Sequence, residues 1–382
     1  MKLLWTLVIT LLVFPLAMKA STIKLNPRES EPSAYAESWD AHTDELIKQR
    51  LGQLSLPFTV RYNDKVKTYI KRYVELGFKE SESMLGRSSL YFPIFEHYLN
   101  LYGLPMELKY LPMVESTLLP GVESNAGAAG LWQMIPASAR YFGLTIDGNI
   151  DERLDPNKST EAAVKMLSML YDQFGNWPLV MAAYNCGPGT VKKAIRYAKC
   201  DDYWEISKYL PKETQRYVPA FIAAAYLVNY YDEHDMAPKY PAYDLQDTRT
   251  FVTYTSLRFS DINKATNVSW DILKKLNPGY LGNIIPAGKN GHFIILPSYA
   301  AESFRTFISG KVNASEDAGS FPIGSLRTSY TTVAGDNIET LALLFGCTVE
   351  DIMAWNHLRS KNLAVNQSLI LYLKRNTTIV KP

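Results

Sequence analysis

Apolar residues between positions 64 and 85 recur at three- and four-residue intervals. Val66, Tyr69, Ile70, Tyr73 and Val74 fall on one face and predict a helix over 64–85. A second run covers 90–102 and stops at Gly103. The stretch 104–117 opens with Pro105 and puts Leu108, Leu111 and Val114 on one side. Pro112 lacks a backbone donor, so it should kink or restart this helix one turn before Glu115. Further helices are predicted over 157–174, entered through Asp155-Pro156 and closed by Gly175, and over 178–185, 191–198 and 215–231. Residues 50–235 therefore read as all helical, with glycine-containing loops at 121–130 and 186–189.

The pattern changes in the C-terminal third. A strand over 330–333 is followed by a Gly335-Asp336 turn, and Asp336 with Glu339 forms a capping box. The next helix carries Ile338, Leu341, Ala342 and Phe345 and closes at Gly346. Thr348 caps a second helix ending at Trp355-Asn356, and 369–373 is a last strand. Residues 269–277 align with 348–356, each with a hydroxyl cap eight residues before an Asn, and this earlier copy ends in the strand 293–296. It lacks the Gly-Asp turn. The expected fold class is a mainly α domain followed by two small α+β modules of βααβ order. The expected boundaries are an export signal at 1–20, a polar leader and helical extension at 21–88, the helical domain at 89–235, a first module at 250–298, a linker at 299–328 and a second module at 329–374.

Composition narrows the function. With 47% apolar residues in 382, the chain can bury a sizeable core. A net charge of +2 gives no drive toward nucleic acid. Lys2 followed by the apolar run 3–17 reads as an export signal, with Ala20-Ser21 as the cleavage point, although Met18 departs from the small residue preferred there. If retained, this segment would tether the chain to a membrane. The expected location is the periplasm or cell envelope. Cys186, Cys200 and Cys347 make no disulfide framework; a Cys186–Cys200 bridge and small buried thiols both fit. The five histidines show no ligand spacing, so neither metal nor cofactor is expected.

The chemistry concentrates after residue 114. Glu115 ends an apolar helix, where loss of water favours its neutral acid form. Glu115-Ser116, then Gly127 to Gln133, then Ala183-Tyr184-Asn185-Cys186-Gly187, then Glu213-Thr214-Gln215-Arg216-Tyr217-Val218 occur in that order. Over about residues 90–235 this set resembles the lytic transglycosylases with a goose-type lysozyme-like fold. The resemblance implies an enzyme that acts on peptidoglycan glycan strands, with Glu115 as the one catalytic carboxyl. It implies that Ser124 contacts the sugar beside the scissile bond and that Gly127 and Gly130 let the backbone approach the glycan. Gln133 would bind substrate or orient Glu115. Tyr184 and Asn185 would line the same cleft, Tyr217 would lie by the Glu115 carboxyl, and Glu213 would orient neighbours. Asn185 is equally placed to cap its helix beside Gly187, and Trp132 reads as core or sugar platform. Cys186 stands where the family often has Ala.

The 329–373 unit resembles a LysM module, through Tyr330 to Val333, Gly335-Asp336 and Trp355-Asn356. That resemblance implies glycan binding by Gly335, Asp336 and Asn356, and the earlier copy reads as a degenerate LysM. Two other classes stay open: a lysozyme-like hydrolase with a second carboxylate, and a non-catalytic wall-binding protein. Glu123 and Asp151 are the nearest second carboxylates; both read as solvated.

Overall fold

The computed structural model describes residues 41–288, 291–312, 325–332, 337–345, 347–356, 358, 360–364 and 367–374. The expected export signal, most of the leader, and Gly335, Asp336 and Gly346 lie outside the described residues. The chain divides into two compact units, 1–241 and 242–382.

In the first unit, α1 (Ala41–Gln53) precedes α2 (Asp64–Lys71), whose first turn is capped by Asn63. The helix expected over 64–85 is broken. A π-helical turn, Arg72–Leu76, runs into Gly77, and α3 (Phe78–Leu101) starts afresh. The second expected run then belongs to α3, because Pro93 sits on an exposed side of the helix and does not end it. The boundary drawn at 88/89 thus falls inside one helix, and the extension shares a core with the helical domain: Ile47, Val66, Ile70 and Met84 pack in the same cluster as Trp132 and Phe221.

Pro112 acts as predicted. A 3₁₀ turn, Met106–Tyr110, gives way to α4 (Leu111–Ser116) with Pro112 in its first turn. The others are α5 (Pro136–Tyr141), α6 (Pro156–Phe174), α7 (Trp177–Cys186), α8 (Pro188–Ala198), α9 (Tyr203–Ile206) and α10 (Thr214–Tyr230). Helix α10 is buried at every position from Tyr217 to Leu227 and packs against α2, α4 and α7. An all-round apolar surface suits a central helix. Ala220 and Ala223 to Ala225 keep its neighbours close. Cys186 and Cys200 are half-buried thiols, and the Cys186–Cys200 bridge is not formed.

In the second unit, α11 (Tyr243–Gln246) leads into β1 (Thr248–Thr253), β2 (Leu257–Arg258), α12 (Phe259–Thr266), α13 (Trp270–Leu276), β3 (Ile284–Ile285) and β4 (His292–Pro297). Strand β1 pairs antiparallel with β4, Phe251 opposite Ile294, and β2 pairs with β3. Residues 299–328 are not a plain linker. Helix α14 (Ala301–Val312) packs on α12 and puts Phe304 into the core beside Phe251. The later copy is β5 (Ser325–Thr331), α15 (Ile338–Phe345), α16 (Val349–Trp355) and β6 (Ser368–Lys374), with β5 antiparallel to β6. Its first strand starts earlier than the pattern suggested. The Oδ1 of Asn337 accepts from the Thr340 amide at 2.7 Å at the start of α15.

The internal repeat rests on one hydrogen-bond pattern. Asn277 Nδ2 donates to the Leu273 and Ile295 carbonyls, and its Oδ1 accepts from the Ile295 amide. Asn356 does the same with Ile352 and Ile370. Each Asn clamps the end of a helix to the middle of the last strand. Asn356, expected as a glycan contact, is also a fold-holding residue whose amide is engaged within the module. Asn277→Ala should orphan the buried polar groups of Ile295. The expected cost is about 1–3 kcal/mol, read as a lower melting temperature for the second unit in calorimetry of the whole chain, with the first unit's transition unmoved.

Candidate active site

Glu115 is the penultimate residue of α4, and the residues just after it are tightly constrained. The Ser116 hydroxyl is fully buried, with the Pro112 carbonyl at 3.0 Å and the Leu131 carbonyl at 2.9 Å as acceptors. Thr117 and Leu118 both take left-handed backbone, φ 52° and 60°. Such residues cost about 1–2 kcal/mol each, so something must hold them. Arg87 does, donating Nε and Nη2 to the Thr117 carbonyl at 3.1 and 2.8 Å, and the Leu118 side chain is buried.

The 122–134 loop forms the next wall. Ala129 bridges to Glu123 on one side and Met134 on the other, and the Gly130 amide donates to the Val122 carbonyl at 3.0 Å. Ser124 Oγ accepts from the Ala128 amide, and Gln133 Nε2 donates to the Val122 and Gly130 carbonyls. Behind the loop, Arg153 and Asp151 form a two-point ion pair, 2.9 Å from Nε to Oδ1 and 2.7 Å from Nη2 to Oδ2. Nη1 of Arg153 donates to the Gly127 and Met134 carbonyls. Asp151 is 7% exposed and Arg153 4%. Asp151 is therefore not the solvated carboxylate that the sequence suggested. A Cβ on Gly130 would stand 1.8 Å from the Arg153 carbonyl oxygen. Gly130 thus gives room to the protein's own backbone, where the sequence reading gave it to the glycan.

Two tyrosines close on Glu115. Tyr217 donates its hydroxyl to Glu115 Oε1. Tyr184 donates to the Trp132 carbonyl at 2.7 Å, tying α7 to the loop. Burial pushes the Glu115 carboxyl up to about 8; the Tyr217 hydrogen bond opposes the shift and the nearby Glu213 charge adds to it. Burial, with Glu115 next, holds Tyr217 and Tyr184 well above the usual phenol range, so both stay neutral donors. Glu213 is itself raised by burial, against a hydrogen bond from Asn185. Asn185 Oδ1 accepts from Thr214 Oγ1 at 2.7 Å. It does not cap α7, which runs on to Cys186 with Gly187 as its cap. Trp132 is fully buried, edge-on to Phe95 at 5.2 Å, and donates Nε1 to Thr160: it is core.

The structure thus joins Glu115, Tyr217 and Glu213 electrostatically, ties Asn185 to Glu213 and Thr214, and links the loop of Ser124 and Gln133 to α4 and α7. Glu123 is exposed. Arg87, Ser116 and the Asp151–Arg153 pair were not found as positioning groups by sequence reasoning. Only the D-x-R spacing of the pair hinted at an interaction. Among the described residues no cluster of three or more His, Cys, Asp or Glu could hold a metal, and no helix is long and apolar enough to cross a membrane.

Comparison with known families agrees with this layout. The transglycosylase SLT domain matches residues 93–207, the LysM-like domain of lytic transglycosylase MltD matches 247–308, and the LysM domain matches 330–371. The chain therefore carries segments similar to an SLT domain and to two LysM-type domains. It is 33% identical over 279 residues to membrane-bound lytic murein transglycosylase D of Escherichia coli K12, covering 70% of this chain and 60% of that relative's length. A soluble lytic murein transglycosylase of the same strain is 36% identical over 83 residues, 20% of this chain and 13% of the relative. Among solved structures, lytic transglycosylase Slt from Pseudomonas aeruginosa aligns over 38% of this chain and 24% of its own, at 25% identity and TM-score 0.32. The SLT match ends before Glu213 and Tyr217, so the candidate site draws on α10, outside the matched segment.

The buried charges of this site can be tested in two ways. Asp151→Asn leaves Arg153 buried without its counter-charge, which should cost roughly 3–5 kcal/mol; denaturant unfolding of the first unit should shift accordingly. The second test concerns Glu115 and pH. Its carboxyl ionises at about 4.5 when free and about 8 in the fold. Between those values the folded chain keeps a proton that the unfolded chain has lost, so this residue's contribution to stability falls as pH rises through the window. Glu115→Gln should therefore gain on the wild type, with the gap in melting temperature opening from pH 5 to pH 8 and staying constant above.

Proposed function

We propose that the chain cleaves the β-1,4 bond between N-acetylmuramic acid and N-acetylglucosamine in peptidoglycan without water, leaving 1,6-anhydromuramyl ends. The observation that carries this reading is the Glu115 carboxyl, raised to about 8 and hydrogen-bonded by Tyr217. At neutral pH it is an acid with a proton to give. Glu115 protonates the glycosidic oxygen as the bond to the muramyl anomeric carbon breaks. The muramyl C6 hydroxyl then bonds to that carbon, and the Glu115 carboxylate takes the C6 proton. One carboxyl serves twice, and the proton account closes. An intramolecular nucleophile also lowers the entropic cost of attack.

A hydrolase would need a second carboxyl as nucleophile or base. Asp151 is engaged by Arg153 and Glu123 stands in solvent, which favours the one-carboxyl route. Tyr217 is suited to steady the carboxylate formed after the first proton transfer. Ser124 and Gln133 would meet the sugar from the loop, and Tyr184 and Asn185 from α7. The LysM-type modules would hold the chain on glycan strands, raising the local substrate concentration. Export to the periplasm or envelope, with the N-terminal segment cleaved or kept as an anchor, completes the proposal.

The test is digestion of purified sacculi followed by mass spectrometry. Products should be lighter by one water than those of lysozyme. Glu115→Gln should lower turnover by about 10²–10⁴-fold, while Glu123→Gln keeps most of it. Predominantly reducing muramic acid ends would overturn the proposal in favour of hydrolysis.

A further inference from the structure

Arg87 is a half-buried residue of α3 whose guanidinium donates Nε and Nη2 to one backbone carbonyl, that of Thr117, at 3.1 and 2.8 Å. Burial pulls this guanidinium below its usual range, and among the described residues no carboxylate is one of the groups that act on it. A cation that gives up water without gaining a counter-charge lowers stability. Its use must lie in the carbonyl it grips. That carbonyl belongs to the corner just after the acid, where Thr117 and Leu118 hold left-handed backbone two and three positions beyond Glu115.

The Arg87 charge does not act on Glu115 directly. Burial and Glu213 raise the Glu115 carboxyl, the Tyr217 hydrogen bond opposes them, and Arg87 is not among these causes. Its influence runs through the backbone. The Thr117 and Leu118 amides return to the Met113 and Pro112 carbonyls at 3.2 and 3.3 Å, so the left-handed pair is folded back onto α4. With the Thr117 carbonyl released, the pair would relax toward ordinary backbone and turn the end of α4, moving Glu115 off Tyr217. The turn of α3 that carries Arg87 is itself held. The 237–239 segment crosses it at Gly86, where a Cβ would stand 1.6 Å from the Lys239 carbonyl oxygen. The Lys239 amide donates to the Glu82 carbonyl at 2.9 Å, and the Ala237 amide to Glu82 Oε1 at 3.0 Å. Glu82, Gly86, Arg87 and this strap all lie outside the matched SLT segment, so its flanks supply the support.

We propose that Arg87 is a positioning residue for Glu115: its grip on the Thr117 carbonyl keeps the left-handed corner that presents the carboxyl to Tyr217. The 237–239 strap keeps the Arg87 turn of α3 in place. The inference rests on the proposed reaction for its kinetic consequence, and on the fold alone for the state of the Glu115 carboxyl.

The experiment compares the full chain with Arg87→Met, which keeps an apolar stem but no donor, and Arg87→Lys, which keeps the charge on a single donor group. On sacculi, Arg87→Met should lower kcat by about 10²-fold, the size expected when a reacting group is misplaced by about 1 Å, with KM unchanged. Arg87→Lys should recover part of the loss. The fall of kcat/KM with rising pH, expected at about 8 in the wild type, should move to lower pH in Arg87→Met. Loss of folded protein alone would scale kcat and leave that limb in place. Glu115 is also read without turnover, by adding Glu115→Gln to each background. The melting-temperature gap between the two forms, which opens from about pH 5 to about pH 8 in the otherwise wild-type chain, should narrow in Arg87→Met. A wild-type kcat, an unmoved alkaline limb or an unchanged gap would overturn the proposal. If Arg87→Met did not fold, Arg87→Lys would decide, and a wild-type limb and gap in that variant would count against it. If the products carried hydrolytic ends, the proposed reaction would fail, and the melting gap would still decide whether Arg87 positions Glu115.

Discussion

Burying the Arg153 guanidinium alone would cost several kcal/mol, and the wall of the candidate site depends on how that cost is met. Asp151 supplies the counter-charge in a two-point pair, and Nη1 donates to the Gly127 and Met134 carbonyls. One planar group therefore fixes the middle and the end of a loop that has almost no regular structure of its own. The other constraints on the loop stem from this one. Gly130 must lack a side chain because the Arg153 backbone passes against it. Gln133 holds φ 45° because its amide closes on Val122 and Gly130. Ser124 is set by a bond from the Ala128 amide. The groups facing substrate in the proposed reaction are thus positioned from behind, by residues that would never touch it.

Glu115 shows the opposite economy. Its niche raises the carboxyl to about 8 mainly by excluding water, and the Tyr217 hydrogen bond only partly offsets this. A carboxyl kept neutral there is an acid ready to act, but the site gains nothing from its ionised form. The strained backbone at Thr117 and Leu118 adds to the cost. Compensation comes from elsewhere: the Arg87 bonds to Thr117, the buried Ser116 hydroxyl, and the apolar packing of α10 against α2, α4 and α7. This is the usual exchange of stability for function at a reactive group.

The helical character of the first unit was legible because its apolar spacing is regular and its ends carry Asn, Asp, Pro and Gly signals. The break at 72–77 was not, since Tyr73 and Val74 continue the three- and four-residue spacing of Val66, Tyr69 and Ile70 into the first residues of the π-helical turn. Likewise α14 escaped because its single deep anchor, Phe304, lies among polar residues. At the site, Glu115 and its tyrosine partners were readable from motif order. Asp151 was misread. The D-x-R spacing alone does not tell a solvated pair from one folded inward, because burial there is decided by the loop that Arg153 grips. The clamp that Asn356 makes to Ile370 showed in the sequence only as the repeated spacing from hydroxyl cap to Asn, which does not reveal its strand partner.

That clamp also bears on how the two LysM-type copies differ. Asn277 and Asn356 make the same three hydrogen bonds, and the buried residue four positions earlier is Leu273 in one copy and Ile352 in the other. The scaffold is therefore held in common. The aromatic residues are not. In the earlier copy Trp270 stands just after the helix cap, 39% exposed and edge-on to Phe259. In the later copy the Trp is at the far end of the helix, where Trp355 is buried against Tyr372 at 5.0 Å. A buried aromatic stabilises its own module, while an exposed one offers a face to an outside ligand. The clamp is common to both copies while the position of the aromatic ring is not. Similarity in fold between the copies therefore says nothing about similarity in what they bind.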